Sequence, residues 1–94
     1  MFSIRIEPDG VVRLSGRLDA AEAERAIADL AAISGPVTMD CGSLEYISSA
    51  GLSVMLVTHK RLMGSGHALR LVNLQPRVRN VFTYAGLNRI LQIE

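Results

Sequence analysis

The sequence predicts an α/β fold in which a small mixed β-sheet, with a parallel core and an N-terminal hairpin, is covered by about three to four helices. Two features carry this prediction. Segments with the two-residue alternation of strands are separated by segments with helical spacing, and strands joined through helices pair in parallel by right-handed crossovers. Asp9-Gly10 lies between the first two strand segments and is a strong signal for a hairpin turn. The 94 residues correspond to one domain, residues 1–94.

The chain is predicted to begin with the hairpin and a first helix. Apolar and polar residues alternate over residues 2–7, and residues 11–14 form the returning strand, which Gly16 ends. Asp19 is a favourable N-cap, and Glu22, three residues later, is placed for a capping box. The apolar face of this helix is expected to contain Ala23, Ile27, Leu30 and Ala31.

A buried strand and a second helix are predicted next. Gly35-Pro36 ends the first helix, and residues 37–41 form a short buried strand that ends in a turn at Gly42-Ser43. The second helix is predicted over residues 49–63, and Gly64-Ser65-Gly66 ends it. It is apolar nearly all round at its start, which predicts cover on more than one side or an apolar strip kept for a partner.

The last elements are a strand, a third helix and a short final strand. Residues 68–74 form the strand, Pro76 stands in the first turn of the helix, and Gly86 ends that helix. Residues 90–93 form the final strand. The buried face of the third helix is predicted to hold Val78, Val81, Phe82 and Ala85.

The composition excludes several classes of function. A net charge of +1 gives no broad field for nucleic acid, and no apolar run approaches the ~20 residues that span a bilayer. The single cysteine, Cys41, forms no internal disulfide, and neither His59 nor His67 has a second ligand at metal-site spacing. The sequence therefore predicts a cytoplasmic, monomeric domain without a metal or cofactor, and the chain carries no catalytic motif of a hydrolase or nucleotide-binding enzyme.

The turn Ile47-Ser48-Ser49-Ala50-Gly51 is the strongest candidate for a site. Two hydroxyls stand where a helix begins, and a hydroxyl there can accept hydrogen bonds from the free N–H groups of the first turn. Those N–H groups and the helix dipole also favour an anion such as phosphate. Gly51 is expected to let another backbone approach closely, as a kinase or partner loop would need. The serines are thus interpreted either as a helix cap alone or as a site of modification.

The stretch from Met39 to Leu52, with its Ile47-Ser48-Ser49-Ala50-Gly51-Leu52 turn before a long helix, resembles the signature of STAS domains, the anti-sigma factor antagonist family. Two further blocks fit the same pattern. They are Gly16-Arg17-Leu18-Asp19-Ala20 and the run from Gln75 to Phe82 that leads to Ala85-Gly86-Leu87. The likeness covers essentially the whole chain and implies a STAS fold.

The resemblance implies a regulator that works by partner switching. The unmodified domain would bind an anti-sigma factor, usually a serine kinase with a GHKL-type ATP site. Phosphorylation of a serine in the turn would end the complex, and a PP2C-type phosphatase would reset it. By position, Ser49 is the first choice of acceptor and Ser48 the second. The partner-binding residues would be Asp19, Ser48, Ser49, Ala50, Gly51 and Leu52.

The chain departs from the family pattern at two positions of the turn. Many members have Asp where this chain has Ser48, and some descriptions place the acceptor directly before the glycine, where this chain has Ala50. An alternative reading is a STAS subunit of an ABC-type lipid transporter, whose turn docks on the ATPase without phosphorylation. A small enzyme is a third reading, supported only by the presence of serine and aspartate.

Overall fold

The computed structural model describes residues 1–94 and contains five strands and three α-helices. The sheet order is β1-β2-β3-β4-β5, with β1 antiparallel to β2 and every other pair parallel. This confirms the α/β class, the mixed sheet and the N-terminal hairpin. In chain order the elements are β1 (Phe2–Ile6), β2 (Val12–Leu18), α1 (Ala20–Leu30), β3 (Val37–Ile47), α2 (Ser49–Gly64), β4 (Leu69–Val72), α3 (Pro76–Tyr84), a 3₁₀ turn (Leu87–Arg89) and β5 (Gln92–Ile93).

The core is aliphatic, as the scarcity of aromatic residues predicts. Phe2 and Phe82 are the aromatic residues within it, and the rest of its buried side chains are mainly leucine, valine and methionine. The helices α1 and α2 pack against each other, and α3 packs against β3. None of the helices combines the length and the apolar character that crossing a membrane requires.

The strand β3 extends six residues past Cys41, so the predicted turn at Gly42-Ser43 is wrong. Its pairing with β2 shifts register twice, which gives β3 one extra residue at each place. Burial then changes from every second residue to every third, at Leu44 and Ile47. The broken alternation is what made this part of the strand look like a turn.

The end of β2 is also later than predicted, because Gly16 lies inside the strand. Its φ of +87° marks a local irregularity, and a Cβ at this position would lie 1.6 Å from the carbonyl oxygen of Met1. Glycine therefore continues the strand here, and β2 reaches Leu18.

Four local predictions about helices α1 and α3 are wrong. The helix α1 ends at Leu30, well before Gly35-Pro36, and Ala31 and Ala85, predicted to be buried, are both exposed C-cap residues. Asp19 does cap α1, but the capping box is absent because the Glu22 carboxylate pairs with Arg25 at 3.1 Å.

Candidate functional site

Two helices begin side by side at the edge where β2 and β3 end. Leu18 pairs with Ile47 in the parallel register, and the amide of Ser48 donates to the carbonyl of Leu18 at 3.0 Å. The next residue of each strand, Asp19 or Ser48, is the N-cap of α1 or α2. The free N–H groups and the positive dipole ends of both helices therefore meet at one place.

Ser48 is a structural cap. Its backbone is extended (φ −95°, ψ 176°), and its hydroxyl oxygen accepts a hydrogen bond from the amide of Gly51 at 3.2 Å. Its carbonyl accepts from the amide of Leu52 at 2.9 Å and so begins the helical ladder. The side chain is half-buried. Its hydroxyl therefore serves as the N-cap of α2.

Ser49 is in a different state, although it is the adjacent residue. It is the first residue of α2, it is exposed, and its hydroxyl takes part in no hydrogen bond. One turn later, the hydroxyl of Ser53 donates to the Ser49 carbonyl at 3.2 Å, so that hydroxyl lies against the helix wall. The turn thus presents one free hydroxyl, on Ser49, at a helix N-terminus.

Gly51 and Leu52 support the turn from beneath. Gly51 is buried, and Leu52 is only 8% exposed. A Cβ on Gly51 would lie 2.6 Å from Cγ1 of Ile47 and 2.7 Å from the carbonyl oxygen of Leu18. The backbone that comes close to Gly51 is therefore the chain's own strand β2, and Ala50, half-buried, completes the small first turn.

Asp19 is half-buried beside this turn and caps α1. Its Oδ1 accepts a hydrogen bond from the amide of Ala21 at 3.1 Å. The structure therefore places Asp19, Ser48 and Ser49 at the same edge of the sheet. A carboxylate at one helix start and a free hydroxyl at the neighbouring one form a small polar surface above a buried glycine.

An acidic residue earlier in β3 fixes the first irregular part of that strand. Asp40 accepts a hydrogen bond from the amide of Gly42 at 2.9 Å and forms an ion pair with Arg13. The Gly42 hydrogen bond, aided by Asn73 and Arg13, holds the pKa of the Asp40 carboxyl below its usual value despite its partial burial. These contacts of Asp40 help to hold β3 in the path that leads to the turn.

Nucleophilic or metal chemistry finds little support around the site. Burial, and secondarily the charge of Asp40, raises the pKa of the Cys41 thiol to about 12, so this group stays protonated. No three His, Cys, Asp or Glu side chains converge as a metal site would require.

Residues that the sequence did not single out extend the site toward α3. The guanidinium of Arg17 lies over the ring of Tyr46, 4.2 Å from its centroid. Beyond Tyr46, an open groove runs between the end of β3 and α3, lined on the helix by Arg77, Val81 and Tyr84 among others. The available sequence signal for Tyr46 was its position as an aromatic residue just before the turn. The groove has no such signal, because it depends on tertiary packing that the sequence pattern does not reveal.

Comparisons with known proteins agree with this fold. The family model described as "Mlab, STAS domain" matches residues 2–92. A protein of Bordetella bronchiseptica named "Putative anti-sigma factor antagonist BtrV" is 40% identical over 84 residues, which cover 85% of this chain and 72% of that protein.

Solved structures of two proteins illustrate the likeness in fold. An anti-sigma factor antagonist from Mycobacterium paratuberculosis superposes with a TM-score of 0.82 at 22% identity, covering 99% of this chain and 83% of that one. Bacillus SpoIIAA, solved in unphosphorylated and phosphorylated forms, superposes with a TM-score of 0.71 in both cases, at 19% and 20% identity. The match covers 100% of this chain and 87% or 91% of SpoIIAA.

The family match over nearly the whole chain and the curated relative lead to the same assignment. This chain belongs to the STAS domain family, together with the anti-sigma factor antagonists that it resembles in sequence and fold.

Proposed function

We propose that this chain is a partner-switching regulator that acts as an anti-sigma factor antagonist and has no catalytic activity of its own. Its unphosphorylated form binds an anti-sigma factor that is also a GHKL-type serine kinase. Phosphorylation of Ser49 ends the complex, and a PP2C-type phosphatase restores the binding form. The names of the curated relative and of the solved structures support the general role.

The observation that carries the proposal is the division between the two serines. The Ser48 hydroxyl caps α2, whereas the Ser49 hydroxyl is exposed and unbonded. A kinase needs a hydroxyl that can reach its active site without breaking the fold. Ser49 meets this condition, and Ser48 meets it only if the cap is given up.

The charge of a phosphate explains how one modification can end the complex. It adds about −1.5 to −2 charges and three acceptor oxygens at the first turn of α2, where the helix dipole favours an anion. The free domain therefore tolerates it. Within a docked interface the same charge must be desolvated, and losing ~3–4 kcal/mol there weakens the affinity several hundred-fold.

A binding measurement with charge mimics tests the switch. A GHKL-type serine kinase captured with this chain from the source organism is titrated with the wild type, Ser49→Asp and Ser34→Asp. Ser34 is exposed in the connection between α1 and β3, so its variant matches the added charge at a distance from the turn. We expect Ser49→Asp to abolish binding and Ser34→Asp to leave it unchanged. Equal affinities of all three proteins would refute the proposal.

Mapping the modified residue tests the choice of serine. After incubation with the kinase and ATP, mass spectrometry is expected to place the phosphate on Ser49, and Ser49→Ala is expected to take up none. Ser48→Ala should still be phosphorylated, because it removes a cap and leaves the acceptor in place. Phosphate on Ser48 in the wild type would show that the cap opens and that Ser49 is the wrong residue.

A constitutive transporter subunit is the second candidate, because α2 also carries exposed apolar side chains. Val57 is 46% exposed and Met63 is 60% exposed, as on a helix with a permanent partner. In this role the turn would dock on an ABC-type ATPase without regulation. Stable copurification with such an ATPase, and the lack of phosphoserine in the protein isolated from cells, would favour it over the switch.

A further inference from the structure

The groove between the end of β3 and helix α3, here the α3 groove, is an apolar surface with exposed aromatic walls. It has a volume of about 350 Å³, and Ile47, Val78 and Val81 contribute apolar lining. Tyr46 forms one wall and is 39% exposed, and Tyr84 forms the other and is 86% exposed. Tyrosines placed this way offer a large contact area and a hydroxyl to a partner, at a small cost in conformational entropy.

The walls of the α3 groove are held in place by the fold. Arg17 stacks on the Tyr46 ring at 4.2 Å, and Tyr46 belongs to the paired end of β3. On the other side, Val78 and Phe82 are buried and anchor α3. A surface that is already ordered loses little entropy when a partner binds, so its contacts contribute efficiently to affinity.

Basic residues without acidic ones on the α3 side of the groove favour an acidic partner. Residues 46–93 contain six basic residues and no acidic one. Several of these cations already have partners: Arg70 pairs with Glu94, and Arg61 donates to the carbonyl of Leu30. Arg77, which lines the groove, and Arg17, which flanks it, have no acidic partner within ion-pairing distance. They leave positive charge available at both walls, against one nearby carboxylate, Glu45.

The groove is also continuous with the turn that carries Ser49. Tyr46 lies two residues before Ser48, a distance of roughly 7 Å at the rise of an extended strand. A stable interface buries roughly 800 Å² on each partner, far more than a five-residue turn supplies. A protein docked on the turn must therefore cover neighbouring surface, and the α3 groove is the concave, charged part of that surface.

We infer that the α3 groove is the second half of the docking surface and holds an acidic segment of the same partner that covers Ser49. An aromatic or large aliphatic side chain of that segment packs between Tyr46 and Tyr84, and its carboxylates face Arg17 and Arg77. This inference rests on the proposed function, because it takes one partner to cover both places.

Site-specific cross-linking in cells of the source organism tests the geometry. Photoreactive benzoylphenylalanine replaces Tyr84 in the groove, Ser53 beside the turn, or Ala32, exposed beyond the far end of α1, as the control. We expect positions 84 and 53 to capture the same protein, with the cross-link from 84 mapped to an acidic segment, and position 32 to capture neither. A different protein, a second copy of this chain or a basic segment at position 84 would overturn the inference.

The result also separates the inference from the proposed function. Capture at position 53 without capture at 84 overturns the inference and leaves the switch intact. Failure at both positions overturns both, because no partner then covers the turn.

Affinities measured with the GHKL-type serine kinase captured with this chain give a second test. We expect Tyr84→Ala and Arg77→Glu each to weaken binding about tenfold or more, the loss typical of an important aromatic or arginine contact. Arg89→Glu is the matched control, because Arg89 is an exposed basic residue that does not line the groove. If both groove variants bind within twofold of the wild type while Ser49→Asp does not bind, the groove is not part of the docking surface.

Discussion

Replacing Gly51 with alanine tests whether the turn is built on close contact between α2 and β2. A new Cβ would lie 2.6 Å from Cγ1 of Ile47, 2.7 Å from the Leu18 carbonyl oxygen and 3.0 Å from Cγ of Leu18. The Leu18 oxygen is backbone, and it is held by a 3.0 Å hydrogen bond from Ser48. The clash must therefore be relieved by moving the start of α2.

The expected change in the free energy of unfolding follows from two opposing contributions. Alanine is favoured over glycine within a helix by up to about 1 kcal/mol. Overpacking a filled site costs about 1–3 kcal/mol, and the upper part of that range applies where the obstacle is backbone. Overpacking outweighs propensity, so Gly51→Ala is expected to lower the free energy of unfolding by about 1–2 kcal/mol.

Urea denaturation measures the effect, and Gly64→Ala is the matched control in the same helix. A Cβ at Gly64 would meet nothing within 4 Å, so this variant is expected to gain about 0.4–1 kcal/mol by restricting the unfolded chain. For a domain of this size, each kcal/mol corresponds to about 4–8 °C in the melting temperature. If Gly51→Ala is as stable as Gly64→Ala, the close packing of the turn on β2 is refuted.

Three further measurements test the site and its support. Ser48→Ala should lower the free energy of unfolding by about 1 kcal/mol because it removes a helix cap, whereas Ser49→Ala should leave it nearly unchanged; equal losses in urea denaturation would contradict the division of roles. Asp40→Asn should be less stable than the wild type at pH 7, since the hydrogen bond from Gly42 holds the pKa of Asp40 below 3.8 in the folded state. The stabilisation that this lowered pKa provides is present at pH values above the pKa of Asp40 in the unfolded state, and it is lost as the pH falls through the pKa in the folded state. The difference in the free energy of unfolding between the two proteins should therefore shrink below pH 3.8 in parallel urea titrations. A difference that does not change with pH would exclude this linkage. Cys41, buried and with its pKa raised to about 12, should react with a thiol reagent at pH 8 only as fast as the protein unfolds, and rapid labelling of the native protein would show that the core opens locally.

The order of elements was predictable from the sequence because periodicity and helix caps are local. Asp19 caps α1, and α2 begins at Ser49 as predicted. The extent of β2 and β3 was not predictable, because it depends on pairing between them. Gly16 and Gly42 look like strand ends in isolation, yet both lie inside strands whose register shifts.

For the candidate site, too, the local features were predictable from the sequence and the features that depend on tertiary contacts were not. The sequence placed two hydroxyls at a helix start, and its resemblance to STAS domains favoured Ser49. Which hydroxyl is free depends on the contact between the start of α2 and the end of β2, where Ser48 donates its amide to Leu18 and accepts the amide of Gly51. The role first given to Gly51, close approach by a partner, belongs to strand β2 of the same chain.

The same contact supports the proposal that Ser49 is the acceptor, although the residue directly before Gly51 is Ala50 and has no hydroxyl. One side chain must cap α2, and a hydroxyl that accepts the Gly51 amide is not free to present itself to a kinase. With Ser48 as the cap, the next residue is the first whose side chain can face solvent at the helix start, and that residue is Ser49. Ala50 is half-buried, so a hydroxyl there would be less accessible than the one on Ser49. Capping, exposure and the helix dipole therefore favour the same acceptor.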